Sequence, residues 1–169
     1  RQPVTTLYWV LGLVVLQRLI ELAHARSNTA RLRRLGAAEA DAGAYPLYVL
    51  LHAGWLMSLA IFVPAETVPN WPLIGLFALF QLGRIWVIVS LGAYWTTRII
   101  TLPDAPLVQT GPFRYLRHPN YLLVAAEIAV LPLAFGALAI AAAFSALNLA
   151  LLARRIRIEE RVLAPRRAV

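Results

Sequence analysis

A chain of 169 residues that is 60% hydrophobic is too apolar for an ordinary soluble domain, in which about half of the residues are apolar, and too short for two large domains. Its formal charge of +8 rests on sixteen arginines and no lysine. Those arginines cluster beside apolar runs, which is the juxtamembrane pattern and not that of a nucleic-acid-binding surface. The lack of cysteine excludes a disulfide framework, a thiolate zinc site and a catalytic thiol.

A spanning helix needs about 20 predominantly apolar residues. The first candidate runs from Val4 to about His24 and ends in Gln17, Arg18, Glu21 and His24. The last three are three apart and share roughly one face. No small-residue cleavage site follows, so this run reads as a retained helix and not a signal peptide. It is expected to continue through Arg26, Arg31, Arg33 and Arg34 to Gly36. The second candidate runs from about Tyr45 to Val63, between Pro46 and Pro64, and contains His52. The third runs from Trp71 to about Leu91 and contains Gln81 and Arg84.

A long polar connection follows, from Gly92 to Arg117, with Pro103, Pro106, Gly111 and Pro112. The last apolar stretch, Pro119 to about Ala153, would measure about 50 Å as one helix, too long for a single crossing. Pro132 and Gly136 near its middle predict a tight hairpin with short arms at about 119–134 and 137–154. The expected architecture is therefore an all-α polytopic integral membrane protein of about five transmembrane helices. Thirteen of the sixteen arginines fall at the end of the first helix, between Gly92 and Arg117, or after Ala153. Five crossings place all three segments on one side, and the positive-inside rule makes that side cytoplasmic.

The segment Leu107-Val108-Gln109-Thr110-Gly111-Pro112-Phe113-Arg114-Tyr115-Leu116-Arg117-His118-Pro119-Asn120-Tyr121 carries the most chemical information. Pro119 suits a first helical position because its missing N–H costs nothing there. His118 then sits at a helix start, where free N–H groups and the dipole favour an anion such as an amino-acid carboxylate. The same residues also suit a plain interfacial belt that anchors the helix. Further on, Arg154-Arg155-Ile156-Arg157-Ile158-Glu159-Glu160-Arg161 puts Arg155 and Glu159 four apart, able to pair on one face. A closed hairpin brings them back to His118 and Tyr121; the alternative is a solvated charged helix end.

Ionisable residues inside membrane helices are costly and are functional candidates by default. Arg18 and Glu21 read as a structural pair. Glu127 reads as a partner for Arg84 or as a general base towards a hydroxyl. His52 reads as a packing residue that hydrogen-bonds, with catalysis as the alternative, and the five tryptophans as interfacial or packing residues, with Trp95 beside the polar connection. No two His, Asp or Glu residues show a convincing metal-ligand spacing.

Leu-Val-x-Thr-Gly, Arg-His-Pro-x-Tyr, an apolar hairpin and then Arg with a Glu-Glu pair resemble isoprenylcysteine carboxyl methyltransferases and their bacterial relatives. The resemblance covers the C-terminal half. The N-terminal half, with Gln17-Arg18-Leu19-Ile20-Glu21-Leu22, Leu51-His52-Ala53-Gly54-Trp55 and Tyr94-Trp95-Thr96-Thr97, looks like a small bacterial branch that includes alkylpyrone O-methyltransferases. The resemblance implies one methyltransferase domain over 1–169, with three helices in 1–92 and the cofactor loop, hairpin and C-terminal segment in 93–169. It implies S-adenosyl-L-methionine as methyl donor, held by Ala105, Pro106, Leu107, Val108, Phe113, His118, Pro119, Asn120, Tyr121 and Glu159. It implies Arg155 as the substrate-contacting residue. Phe113 stands where the family usually has tyrosine, and Leu163-Ala164-Pro165-Arg166-Arg167 departs from the family's usual tail.

The expected reaction is O-methylation of a prenyl or long-alkyl substrate that enters from the bilayer, at an alkylpyrone or phenolic hydroxyl or an isoprenylcysteine-type carboxylate. The expected place is a bacterial inner membrane, among its lipids, with the cofactor site facing the cytoplasm and no nucleic-acid partner. Other readings are a membrane reductase using NADPH, since some sterol reductases share a related helical core, and a non-catalytic scaffold or transporter.

Overall fold

The computed structural model describes residues 5–103 and 105–167. Among the described residues, five α-helices are joined by turns and one long connection: α1 (Thr6–Arg34), α2 (Tyr45–Phe62), α3 (Trp71–Leu91), α4 (Pro119–Ala134) and α5 (Leu138–Arg167). Among the described residues, four segments are long and apolar enough to cross a membrane: Thr6–Arg34, Ala42–Phe62, Trp71–Tyr94 and Leu138–Pro165. The fold is an all-α polytopic membrane fold. The expected first residue of α1, Val4, lies outside the described residues.

Proline sets several helix starts. Pro46, Pro72 and Pro119 occupy the first or second helical positions of α2, α3 and α4, where a missing N–H is not needed. The side chain of Asn70 caps α3 by accepting from the Leu73 amide at 3.2 Å. The hairpin between α4 and α5 turns at Gly136, which has φ +70°, and its first arm has the expected bounds. The second arm does not stop near Arg154: α5 runs on to Arg167, with Pro165 inside its last turns. The charged segment is thus an extension of the membrane helix itself.

Leu7, Leu11 and Val14 of α1, Leu51, Trp55 and Leu59 of α2, Phe77 of α3 and Val124, Ile128 and Leu131 of α4 form the main apolar cluster. Trp55 also donates from its indole nitrogen to the Ile128 carbonyl at 3.2 Å. The outward faces carry Leu13, Leu16, Ile20, Leu50, Ile61, Phe62, Leu79, Leu82 and Val89, all exposed. Soluble surfaces rarely show such continuous apolar area; lipid accepts it.

The helices are also tied by buried charge. Glu21 receives two hydrogen bonds from Arg84, both 2.7 Å, and pairs with Arg18 at 3.1 Å. Glu127 bonds Arg18 and accepts from Gln81 at 3.1 Å. Its nearest approach to Arg84 is 3.9 Å. Two carboxylates and two guanidiniums thus balance across α1, α3 and α4, and Arg18, not Arg84, is the principal partner of Glu127.

The basic segments meet at one end of the bundle. Ala38–Ala40 (β1) and Ile99–Thr101 (β2) form a two-stranded antiparallel ribbon with Glu39 opposite Ile100. Glu39 on it bonds both Arg33 and Arg98, the latter at 2.6 Å. Arg154 of α5 bonds Asp41. Asn28 of α1 donates to the carbonyls of Gly92 and Trp95 at 3.0 and 2.9 Å, pinning the start of the long connection. The sequence offered no periodic signal for the ribbon.

Candidate active site

The turn Gly111–Arg114 packs against α3 so closely that only glycine fits. Gly111 has φ +58°, and a Cβ there would lie 2.1 Å from the Ser90 hydroxyl oxygen. This approach fixes the connection over α3, and Phe113 packs on the buried cluster of Ala25, Val87 and Trp95. The chain then enters α4 at Pro119.

Between this connection, the start of α4 and the end of α5 lies a cavity of about 480 Å³. Small-molecule sites typically occupy about 300–1,000 Å³. Its wall includes Ala105, Pro106, Leu107, Val108, Phe113, His118, Pro119, Asn120, Tyr121, Arg155 and Glu159. Residues singled out from the sequence on two distant segments therefore border one space. Glu127, read from the sequence as a possible base, is not among them. It is 1% exposed, and its carboxylate is already taken by Arg18 and Gln81.

The four central side chains are connected. The Tyr121 hydroxyl donates to Glu159 and accepts from Arg155 Nε at 2.9 Å. Arg155 and Glu159, able to pair as neighbours one turn apart, are linked through the phenol between them. Arg155 also donates to the Thr97 carbonyl at 2.9 Å and lies over the Tyr48 ring at 5.0 Å. His118 stacks on Tyr121 with centroids 5.4 Å apart. Its Nε2 donates to Glu160 at 2.7 Å, and its Nδ1 is 3.8 Å from Glu159. Asn120 accepts from Arg84 at 3.2 Å, which couples the site to the buried charge network.

Other wall residues carried weaker sequence signals. Arg98 borders the cavity, lies 4.0 Å over the Tyr45 ring and shares Glu39 with Arg33. Burial alone would raise the Glu39 carboxyl, but the two guanidiniums outweigh it and hold the group below its ordinary 4.5. Trp95 is 2% exposed, borders the cavity and leaves its indole N–H without a partner among the described residues.

Residues 73–165 match the isoprenylcysteine carboxyl methyltransferase (ICMT) family. The chain belongs to this family. Membership implies a membrane methyltransferase, and the matched span contains every residue named on the cavity wall. The chain is also similar to the uncharacterized protein YpbQ of Bacillus subtilis (strain 168): 35% identity over 163 residues, covering 93% of this chain and 96% of that protein. No solved structure matches.

Proposed function

We propose that this member of the family is an S-adenosyl-L-methionine-dependent O-methyltransferase for a lipid-like substrate. In this reading 1–169 is one catalytic domain in a bacterial inner membrane, with the cavity facing the cytoplasm. The observation that carries it is the junction of His118, Tyr121, Arg155 and Glu159 on one cavity, continuous with the apolar wall of Leu107, Val108 and Phe113.

The residues suit the donor's chemistry. S-adenosylmethionine has an apolar-faced base, a carboxylate, an ammonium and a sulfonium. Leu107, Val108 and Phe113 offer an apolar wall for the base. His118 at the start of α4 suits a carboxylate, and Glu159 suits a cation. The indole N–H of Trp95 is a donor in need of an acceptor. When bound, the cofactor supplies an electrophilic methyl group. Arg155 orients the substrate oxygen by charge-assisted hydrogen bonds, and the cavity wall fixes the approach. The substrate's chain would lie in the bilayer, which explains a site built at the end of membrane helices.

The test is calorimetry on detergent-solubilised protein with S-adenosylhomocysteine. Micromolar-scale binding by the native chain, lost in Glu159→Ala and spared in a variant of the exposed Glu66 in the turn between α2 and α3 (Glu66→Ala), is the expected result. Binding of NADPH in place of S-adenosylhomocysteine would turn the assignment to a reductase. Binding of neither would leave a scaffold or transporter.

A further inference from the structure

Two guanidiniums stand side by side where the cavity meets the ribbon and the start of α2. Arg98 lies 4.0 Å over the Tyr45 ring and Arg155 lies 5.0 Å over the Tyr48 ring. Tyr45 and Tyr48 are one turn apart in α2, so their rings are neighbours. The backbone just before β2 joins the pair as well: Arg155 Nη2 donates to the carbonyl of Thr97, the residue before Arg98, at 2.9 Å. Both arginines border the main cavity. Both also border a second, much smaller one of about 10 Å³, lined too by Glu39, Asp41 and the two tyrosines. That space holds about one water, so a larger group meets both guanidiniums only from the main cavity.

The charge of the main cavity favours an anion. Among the described residues its wall carries Arg98, Arg114, Arg117 and Arg155 against one carboxylate, Glu159. Arg117 is 3.9 Å from Glu160, and Arg98 shares Glu39 with Arg33. Arg155 pairs with no described carboxylate; it gives Nε to the Tyr121 hydroxyl and Nη2 to the Thr97 carbonyl, which leaves Nη1. Arg98 gives Nη1 to Glu39 at 2.6 Å, which leaves Nε and Nη2. The bases on the same wall are engaged, Glu159 by Tyr121 and His118 by Glu160. His52 is not on that wall, and its Nδ1 is bonded to the Tyr48 carbonyl at 2.8 Å. The wall thus offers donors to an oxygen that is already charged, and no disengaged base to one that is not.

We propose that Arg98 is a second substrate-binding residue beside Arg155, and that the two together select an acceptor whose oxygen acid is ionised at neutral pH. This rests on the methyl-transfer reading above. Two adjacent guanidiniums with free N–H groups match a charge shared by two oxygens: Arg155 holds the oxygen that reacts and Arg98 holds the other. Ile99 and Ile100, next in the chain, also border the cavity and offer apolar surface to the substrate's chain. In the step the oxygen–methyl bond forms as the sulfonium–methyl bond breaks. The negative charge of the acceptor and the positive charge of the sulfonium cancel, leaving a neutral methylated product and a neutral thioether, and no proton moves. A carboxylate and the enolate of a 1,3-diketone share this chemistry; a simple phenol, with a pKa of about 10, does not.

Three probes with matched chains separate the cases: N-dodecanoylglycine, 5-dodecylcyclohexane-1,3-dione and para-dodecylphenol, each offered with labelled S-adenosylmethionine to the full chain in detergent at neutral pH. The native protein should methylate at least one of the two anions, and which one it takes distinguishes carboxylate from enolate. The phenol should react on the order of 100-fold more slowly for want of a base. Arg98→Gln is expected to raise the KM for the anion about 10–100-fold, as for a lost hydrogen bond to a charged group, and to keep its affinity for S-adenosylhomocysteine. Arg98→Lys, which keeps the charge, should recover part of that loss. Glu39→Gln breaks the same ion pair but leaves the guanidinium; its KM should move by less than about fivefold, an exposed pair being worth little. Equal rises in KM for Arg98→Gln and Glu39→Gln would reduce Arg98 to a support of the ribbon and overturn the proposal. So would an unchanged KM or lost S-adenosylhomocysteine binding in Arg98→Gln, a phenol methylated as fast as the anions, or a native protein that binds S-adenosylhomocysteine and methylates neither anion. Failure of the native protein to bind S-adenosylhomocysteine would instead remove the methyl-transfer reading beneath it.

Discussion

Arg84 and Glu21 face each other through two parallel hydrogen bonds, Nε to Oε1 and Nη2 to Oε2, in the middle of the bundle. The remaining guanidinium nitrogen of Arg84 reaches Asn120 at the opening turn of α4. A structural ion pair between α1 and α3 is thereby attached to the wall of the cavity.

Removing one partner leaves the buried network of Arg18, Glu21, Arg84 and Glu127 with an unbalanced charge. Arg84→Met should destabilise the protein by about 3–5 kcal/mol, and Glu21→Leu should do the same. The double variant should recover most of the loss, since apolar replacement of both partners is often neutral. Unfolding in detergent checks the cycle. Additive losses in the double variant would show that the pair is not a unit.

Tyr121→Phe removes only the hydroxyl that stands between Arg155 and Glu159. The two charged side chains, one turn apart on α5, would then be free to pair with each other. Affinity for S-adenosylhomocysteine should fall about 10–100-fold, the usual cost of a lost hydrogen bond to a charged group, with little change in thermal midpoint. Calorimetry on the single variant reads both quantities separately.

Gly111→Ala places a Cβ against Ser90 and keeps a positive φ that alanine resists. The connection should lift from α3, so ligand binding is lost before the helices melt. Adding Ser90→Gly should relieve the contact and restore part of the binding; the backbone strain would remain. Proteolytic sensitivity of the connection offers a second readout.

Glu39 gives the ribbon a defined response to acid. Its carboxyl has a lower pKa folded than unfolded because of Arg98 and Arg33. Its stabilising contribution is complete above the unfolded value of about 4.5 and is lost as pH falls through the lower folded value. Amide exchange in Ala38–Ala40 and Ile99–Thr101 should therefore accelerate in that acid window. Glu39→Gln should exchange faster at neutral pH and show no such acid step.

Helix positions were largely legible because prolines and hydropathy mark them independently of tertiary contacts. Pro46, Pro72 and Pro119 announce α2, α3 and α4, and Gly136 announces the hairpin turn. The meeting of His118 and Tyr121 with Arg155 and Glu159 followed from closing that hairpin. What the sequence hid depends on distant partners. Ala38–Ala40 is too short to alternate, and becomes a strand only by pairing with residues near 100. The choice of Arg18 over Arg84 by Glu127 depends on how α1 stands beside α4, which no local pattern encodes. The continuity of α5 past Arg154 was masked by the change from apolar to charged residues, although nothing there breaks a helix before Pro165.

That continuity makes α5 a rigid crank. Each residue turns an α-helix by about 100°, so Arg155 and Glu159 hold their aim only through the rotational phase set deep in the bilayer, where Asn148 is buried. A single residue inserted between Asn148 and Arg155 would swing both side chains away from Tyr121 without touching the site, while an insertion in an outer turn, such as that between α2 and α3, would leave them in place. Anything that twists or slides the membrane portion of α5, including a change in lipid thickness, is transmitted directly to the cavity wall.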